Sequence, residues 1–248
     1  MKTINVIVFL DGSPWGLHLV KSLLDLGVRP RSIIKENRKN NVIKRVKYRG
    51  KKYGWIATLI WAIDAYCSQK GDALHYNSFD FGGIEMIEVN SINDQKVVDA
   101  LQKNPPRFIL NTLSAMVKPQ ILNLPQLGVF GWHPGILPKY LGLSPIHWQV
   151  YDNNVPGFSI FKLTEGMDTG PSYLQKIVEP YKNEQFQKYC QRFHREAARE
   201  MAKFALSAYD ENKLKPLVLP DHESRGRGLI PFKARLQVSK NWKMAARL

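Results

Sequence analysis

Apolar residues follow two spacings along this chain. Short, nearly unbroken runs rich in β-branched residues mark buried strands at Ile4 to Leu10, Arg107 to Leu113 and Gly128 to Trp132. Ile33 and Ile34 belong to a further strand of the same kind. Between these runs the apolar residues recur every three or four positions. Leu17, Val20, Leu23 and Leu24 line one face of a helix over residues 15–26, which the turn Asp11-Gly12-Ser13-Pro14 opens and Gly27 closes. Val97, Val98 and Leu101 form a similar face behind Asp94, and Pro105 and Pro106 end that helix. Strands alternating with helices predict an α/β fold with a mostly parallel sheet and helices on both faces.

From Pro156 the pattern changes. Phe158, Ile160 and Lys162 alternate with their neighbours as a half-buried strand does, and Tyr173 to Val178 reads as an antiparallel partner. Asn183 to Asn212 is one long helical pattern, followed by a less regular basic tail. The expected organisation is a Rossmann-like α/β domain over residues 1–180, with residues 181–248 forming a C-terminal helix and basic tail packed on it.

Composition narrows the classes. The chain has 248 residues, 44% hydrophobic and 23% charged, enough to bury a sizeable core. Cys67 and Cys190 lie far apart and form no metal spacing, which fits free thiols in a reducing compartment. The apolar run at the N-terminus is short and meets Asp11 and Gly12 at once, unlike a signal peptide. Trp55 to Cys67 carries Asp64 and falls short of the roughly 20 residues a membrane helix needs. A cytoplasmic protein without a membrane partner or a metal is expected.

The net charge of +15 favours a polyanionic partner: a nucleotide, a phosphorylated metabolite or a nucleic acid. The surplus is densest in residues 35–52, with Glu36 the one acid, and in residues 222–248, with Glu223 the one acid. Solvated loop and tail, or a surface for phosphates, are the two readings of these segments. Gly12 and Gly16 flank a strand-to-helix turn whose backbone N–H groups can face a phosphate. The turn lacks a full dinucleotide fingerprint and Asp11 opposes an anion, so an ordinary tight turn explains it as well.

The chemistry concentrates in GWHPGILPKYLGLSPIHW, from Gly131, and EGMDTG, from Glu165. His133 follows a buried strand at the carboxyl edge of the sheet, where active sites collect. Histidine exchanges protons near neutral pH, and a carboxylate such as Asp168 supports and orients it. His147 and Trp148 either face this site or pack the helix after Pro145.

Over Arg107 to Val178 the sequence resembles the formyltransferase family, which includes methionyl-tRNA formyltransferases, glycinamide ribonucleotide transformylases and amino-sugar N-formyltransferases. HPGILPKY and EGMDTG carry the resemblance, and AMVKPQILNLPQLG looks like the family's segment before its catalytic strand. The resemblance implies the formyltransferase fold, N10-formyltetrahydrofolate as one-carbon donor, and His133 and Asp168 as catalytic residues. It implies a pterin beside Met116, Val117 and Leu124 and beside Thr164, Gly166 and Gly170, with the acceptor against Gly12, Lys139 and Tyr140. Two positions depart from the pattern: Gly131 stands where the family has a catalytic asparagine, and Leu141 where it often has arginine. The missing amide is replaceable by the Trp132 indole, a backbone N–H, Lys139 or a water.

Formyl transfer to an amine is therefore the expected function, with a nucleotide-linked amino sugar or another small metabolite as acceptor. A homodimer is compatible with this reading. The alternatives are hydrolysis of the formyl folate, a methionyl-tRNA-type transferase, or a polyanion-binding module without catalysis. The few residues after the long helix are short of the C-terminal barrel a methionyl-tRNA enzyme usually carries, so nucleic acid is not the favoured partner.

Overall fold

The structure, a computed structural model, describes residues 1–37, 42–70, 74–219 and 226–247. Seven strands form one sheet in the order β3-β2-β1-β4-β5-β6-β7. Strands β1 (Lys2–Leu10), β2 (Val28–Glu36), β3 (Glu85–Val89), β4 (Phe108–Asn111) and β5 (Val129–His133) run parallel. β6 (Gly157–Lys162) and β7 (Ser172–Ile177) pair antiparallel as expected, and β6 also runs antiparallel to β5; β6 is buried on both faces rather than half-buried, because the core takes Phe158 and Ile160 and the loop after His133 covers Ser159. The parallel strands read as continuous apolar runs because both faces of the sheet are covered.

Two cores flank the sheet. On one face Val6, Val8, Leu10, Phe108, Leu110, Phe130, Phe158 and Ile160 pack under α1 (Pro14–Asp25) and α7 (Phe186–Ser207). On the other, Ile7, Phe9, Ile109 and Val129 pack under α4 (Gln95–Lys103) and α5 (Pro119–Leu122), through Val97, Val98, Leu101, Ile121 and Leu122. Gly16 lets α1 cross closely: a Cβ there would lie 2.8 Å from Leu10 Cβ and 2.9 Å from Thr112 Oγ1.

Three helices arise where the sequence reads as charged loop, apolar stretch or tail. α2 (Val42–Tyr53) occupies much of the first basic segment, and α3 (Trp55–Lys70) follows it. α8 (Phe232–Ala245) forms within the second basic segment. It is held by Val238 and Trp242, which join the core of α7, and by Asn241, whose amide donates to the carbonyls of Val150 and Tyr151 at 2.9 and 3.0 Å. A few buried anchors thus decide α8, and its surface charge does not. β3 also escapes the sequence pattern, since it is short and only Val89 is fully buried. α6 (Pro145–Tyr151) follows the His133 loop. No helix among the described residues is long and apolar enough to cross a membrane.

Candidate active site

β5 ends at His133 on the carboxyl edge of the sheet, and the chain leaves it through Pro134 and Gly135 into a loop that returns under the ring. Gly135 permits the approach: a Cβ there would sit 2.9 Å from the Tyr140 carbonyl oxygen and 3.0 Å from His133 Nε2. His133 is 5% exposed. Its Nε2 lies 2.6 Å from the Tyr140 carbonyl oxygen, and its Nδ1 lies 3.5 Å from Asp168 Oδ2. Both ring nitrogens therefore face acceptors. A protonated ring donates to both, whereas a neutral ring donates to one.

Asp168 reaches the ring from the turn after β6. It takes a left-handed backbone, φ 57°, a conformation that Asp tolerates better than most residues. Burial works against its ionised form, but the hydrogen bond and charge of His133 and the Gly142 N–H outweigh this and hold the carboxyl below its usual range. Gly142 donates its N–H to Asp168 Oδ2 at 3.2 Å. Gly170 closes the turn, and a Cβ there would overlap the Lys162 carbonyl. Thr164 and Thr169 share a hydrogen bond across the turn at 3.0 Å.

The loop between His133 and Gly142 is held by polar side chains far away in sequence. Ser159 Oγ donates to the Gly135 carbonyl and accepts from Leu137 N, both at 2.9 Å. Gln175 donates to the Leu137 carbonyl at 2.6 Å. Gln149 donates to the Pro134 and Gly157 carbonyls at 3.2 Å and accepts from Gly157 N at 3.0 Å. On the outer side, Arg227 N donates to the Leu141 carbonyl at 3.0 Å and its carbonyl accepts from Leu143 N at 2.8 Å. No local pattern points to these residues, because each acts across strands or from a distant segment.

The remaining candidates fall into place as follows. Val117 is buried in the second core, Leu124 packs against it, and Met116 is 62% exposed. Thr164 and Gly166 lie on the exposed turn before Asp168. Tyr140 turns its ring inward and offers the site its carbonyl; its hydroxyl accepts from Asn154 at 2.8 Å, and burial pushes its pKa up to about 12. Lys139 is exposed, its Nζ 5.3 Å above the Tyr140 ring. Trp132 alternates to the opposite face of β5 and packs against the first core, away from the side that carries His133. Gly12 has φ 75° beneath the Tyr76 ring, and Asp11 accepts the Ser13 N–H at 3.1 Å, using one of the donors a phosphate would need. His147 packs edge-on against Phe186, and Trp148 donates to the Gly228 carbonyl at 3.0 Å.

A cavity of about 380 Å³ opens between residues 122–128 and the end of β6, where β5 and the turn that carries Asp168 begin, lined by Leu122, Asn123, Gln126, Lys162, Leu163 and Glu165 among others. The volume lies within the usual range of small-ligand sites, about 300–1,000 Å³. Apolar walls from Leu122 and Leu163 with amide and carboxylate groups around them suit a flat heterocycle that both donates and accepts hydrogen bonds. These residues fit the pterin of a folate.

The fold is a doubly wound sheet with a histidine–carboxylate pair at its carboxyl edge and a heterocycle-sized cavity where the turn bearing Asp168 begins. The sequence model described as formyl transferase matches residues 38–204, and the chain belongs to that family. A methionyl-tRNA formyltransferase from Kosmotoga olearia is 34% identical over 106 residues, covering 42% of this chain and 34% of that protein. The chain thus matches about a third of the length of such relatives. Among solved structures, a sugar N-formyltransferase from a Shewanella species superposes with a TM-score of 0.59 at 11% identity, covering 95% of this chain and 87% of the other. The formyltransferase PseJ from Anoxybacillus kamchatkensis, in complex with UDP-4,6-dideoxy-4-formamido-L-AltNAc and tetrahydrofolate, superposes with a TM-score of 0.54 at 13% identity, covering 98% of each chain. These two structures share the fold.

Proposed function

We propose that this chain transfers the formyl group of N10-formyltetrahydrofolate to the amine of a small metabolite, a nucleotide-linked amino sugar first among the candidates. The observation that carries the reading is the His133–Asp168 pair at the carboxyl edge of β5. Bound in the cavity, the folate supplies an activated one-carbon unit. Leu122, Leu163 and the polar groups beside them hold the pterin and keep water from it. In the transfer, a bond forms between the amine nitrogen and the formyl carbon, and the bond from that carbon to N10 breaks. Asp168 accepts the amine proton, directly or through a water, and the His133–Asp168 pair passes it toward N10. A protonated His133 also offsets the negative charge that develops on the formyl oxygen.

The acceptor class rests on two supports. The PseJ structure, matched over nearly its whole length, holds a nucleotide-linked formamido sugar. The charge of +15 suits a diphosphate. Titration of the purified protein with a stable folate analogue of the formyl donor, read by calorimetry, tests the one-carbon site; micromolar binding is expected. Turnover is then measured with UDP-linked amino sugars and with methionyl-tRNA in parallel. Formylation of the tRNA alone would replace the proposed acceptor. Formate release without an amine would identify a hydrolase. Steeply salt-dependent RNA binding by a folded protein that ignores the analogue would leave a polyanion-binding module.

A further inference from the structure

Formyl transfer needs a hydrogen-bond donor where charge develops on the formyl oxygen. Around His133 most side-chain donors are already committed. The Ser159 hydroxyl donates to Gly135, the Thr112 hydroxyl to Phe9, and the His133 ring faces Tyr140 and Asp168. Gly131, two residues before His133 on the same face of β5, has no side chain. A Cβ there would stand 3.0 Å from Leu163 Cδ1 and 3.3 Å from the Asn111 carbonyl oxygen, so Leu163 already fills the space a longer residue would take.

The register places an amide beside that gap. Asn111, the last residue of β4, pairs directly with Gly131 of β5 in parallel register. Register partners on neighbouring strands point to the same face, as do residues two apart on one strand, so Asn111, Gly131 and His133 share a face. Ile109 and Val129, two residues earlier on each strand, lie in the core beneath that face. Strand spacing puts the Cα atoms of Asn111 and His133 roughly 8 Å apart, room for one small reacting group between their side chains.

Asn111 is 6% exposed. Its Nδ2 donates to the Leu113 carbonyl at 3.1 Å and its Oδ1 accepts from Leu113 N at 3.3 Å. A carboxamide carries two N–H groups, and the Leu113 carbonyl takes one. The two-point tie to Leu113 fixes the plane of the amide, which leaves the second N–H oriented before any ligand arrives.

We propose that Asn111 is the hydrogen-bond donor to the formyl oxygen, the role that Gly131 has no side chain to perform. This assignment rests on the folate-dependent reading. Asn111→Asp tests it, because the carboxylate still accepts from Leu113 N but has no N–H. The expected result is a fall in single-turnover transfer of about 10²–10³-fold, with affinity for the formyl-folate analogue within a few-fold of wild type and the melting transition retained. Moving the amide across the register, as Asn111→Ala with Gly131→Asn and Leu163→Ala, is expected to recover at least tenfold over Asn111→Ala alone. A third measurement needs no variant: with Asn111 labelled at its amide nitrogen, binding of the analogue to wild type moves one side-chain proton downfield in the NMR spectrum. Full transfer by Asn111→Asp, or an unmoved amide proton in the bound wild type, overturns the assignment and leaves the folate reading standing. A wild type that does not bind the analogue overturns both.

Discussion

Two shielded histidines sit in contrasting regions of this protein. His133 ends β5 with an acceptor at each ring nitrogen, the Tyr140 carbonyl and Asp168. His194 lies in the seam where α7 packs on α1, its ring tilted against Trp15 with centroids 4.2 Å apart. One edge of the His194 residue keeps some exposure, but its Nδ1 is shielded from solvent and has no hydrogen-bond partner. Burial, with a lesser contribution from His18, lowers its pKa to about 4. Burial, aided by His18, thus holds His194 neutral and makes it core. His133 is buried too, but with an acceptor at each ring nitrogen.

Replacing the first histidine or its carboxylate breaks the comparison most sharply. His133→Ala and Asp168→Ala are each expected to lower transfer by about 10²–10⁴-fold, about 3–5.5 kcal/mol of barrier, with the circular dichroism spectrum unchanged. Retained turnover in both variants would remove the pair from the chemistry. His194→Leu is expected to do the reverse, leaving turnover within a few-fold of wild type.

Ser159→Ala tests whether the loop around His133 must be held from afar. The change removes the acceptor of Leu137 N and a donor to Gly135. Leaving such buried groups unpaired costs about 2 kcal/mol, read as a lower urea midpoint, and turnover falls because the Tyr140 carbonyl no longer fixes the ring. A variant of wild-type stability and rate would show that the loop holds itself.

The smallest effect comes from pH. The folded pKa of His194 lies below its value of 6.5 in an open chain. The unfolded chain therefore takes up a proton first, and the stability contributed by neutral His194 is present above pH 6.5 and lost as pH falls toward 4. Allowing for its exposed edge, about 1–2 kcal/mol should be lost between pH 7 and pH 5. Asp168 does not enter that window, because a lowered carboxyl pKa affects stability only near pH 4 and below. Urea titrations at both pH values, with His194→Leu showing the flatter dependence, check this. Equal slopes in the two proteins would mean that His194 is charged inside.

Much of this molecule is legible along the chain. β1, β4 and β5 follow from their continuous apolar runs, because burial on two faces writes that pattern directly, whereas β6 reads as half-buried and is covered on both faces. His133 and Asp168 stand out because a turn with glycine where no Cβ fits, as at Gly170, leaves a local signature. α2 and α8 do not stand out. Their surfaces are crowded with Lys and Arg, and in α8 only a few positions, such as Val238 and Trp242, are buried. Asn111 reads as one more strand residue, and Ser159, Gln149, Gln175 and Arg227 as unremarkable polar positions.

The layered α/β class, the pairing of β6 with β7 and the motifs that hold His133 and Asp168 are readable along the chain. These depend on periodicity and on turn chemistry, which act within a few residues. Folding in three dimensions sets which amide stands beside Gly131, which side chains hold the His133 loop, and which histidine lies beside a carboxylate. Those outcomes depend on register between strands and on the company a buried group keeps, and residues distant in sequence set both.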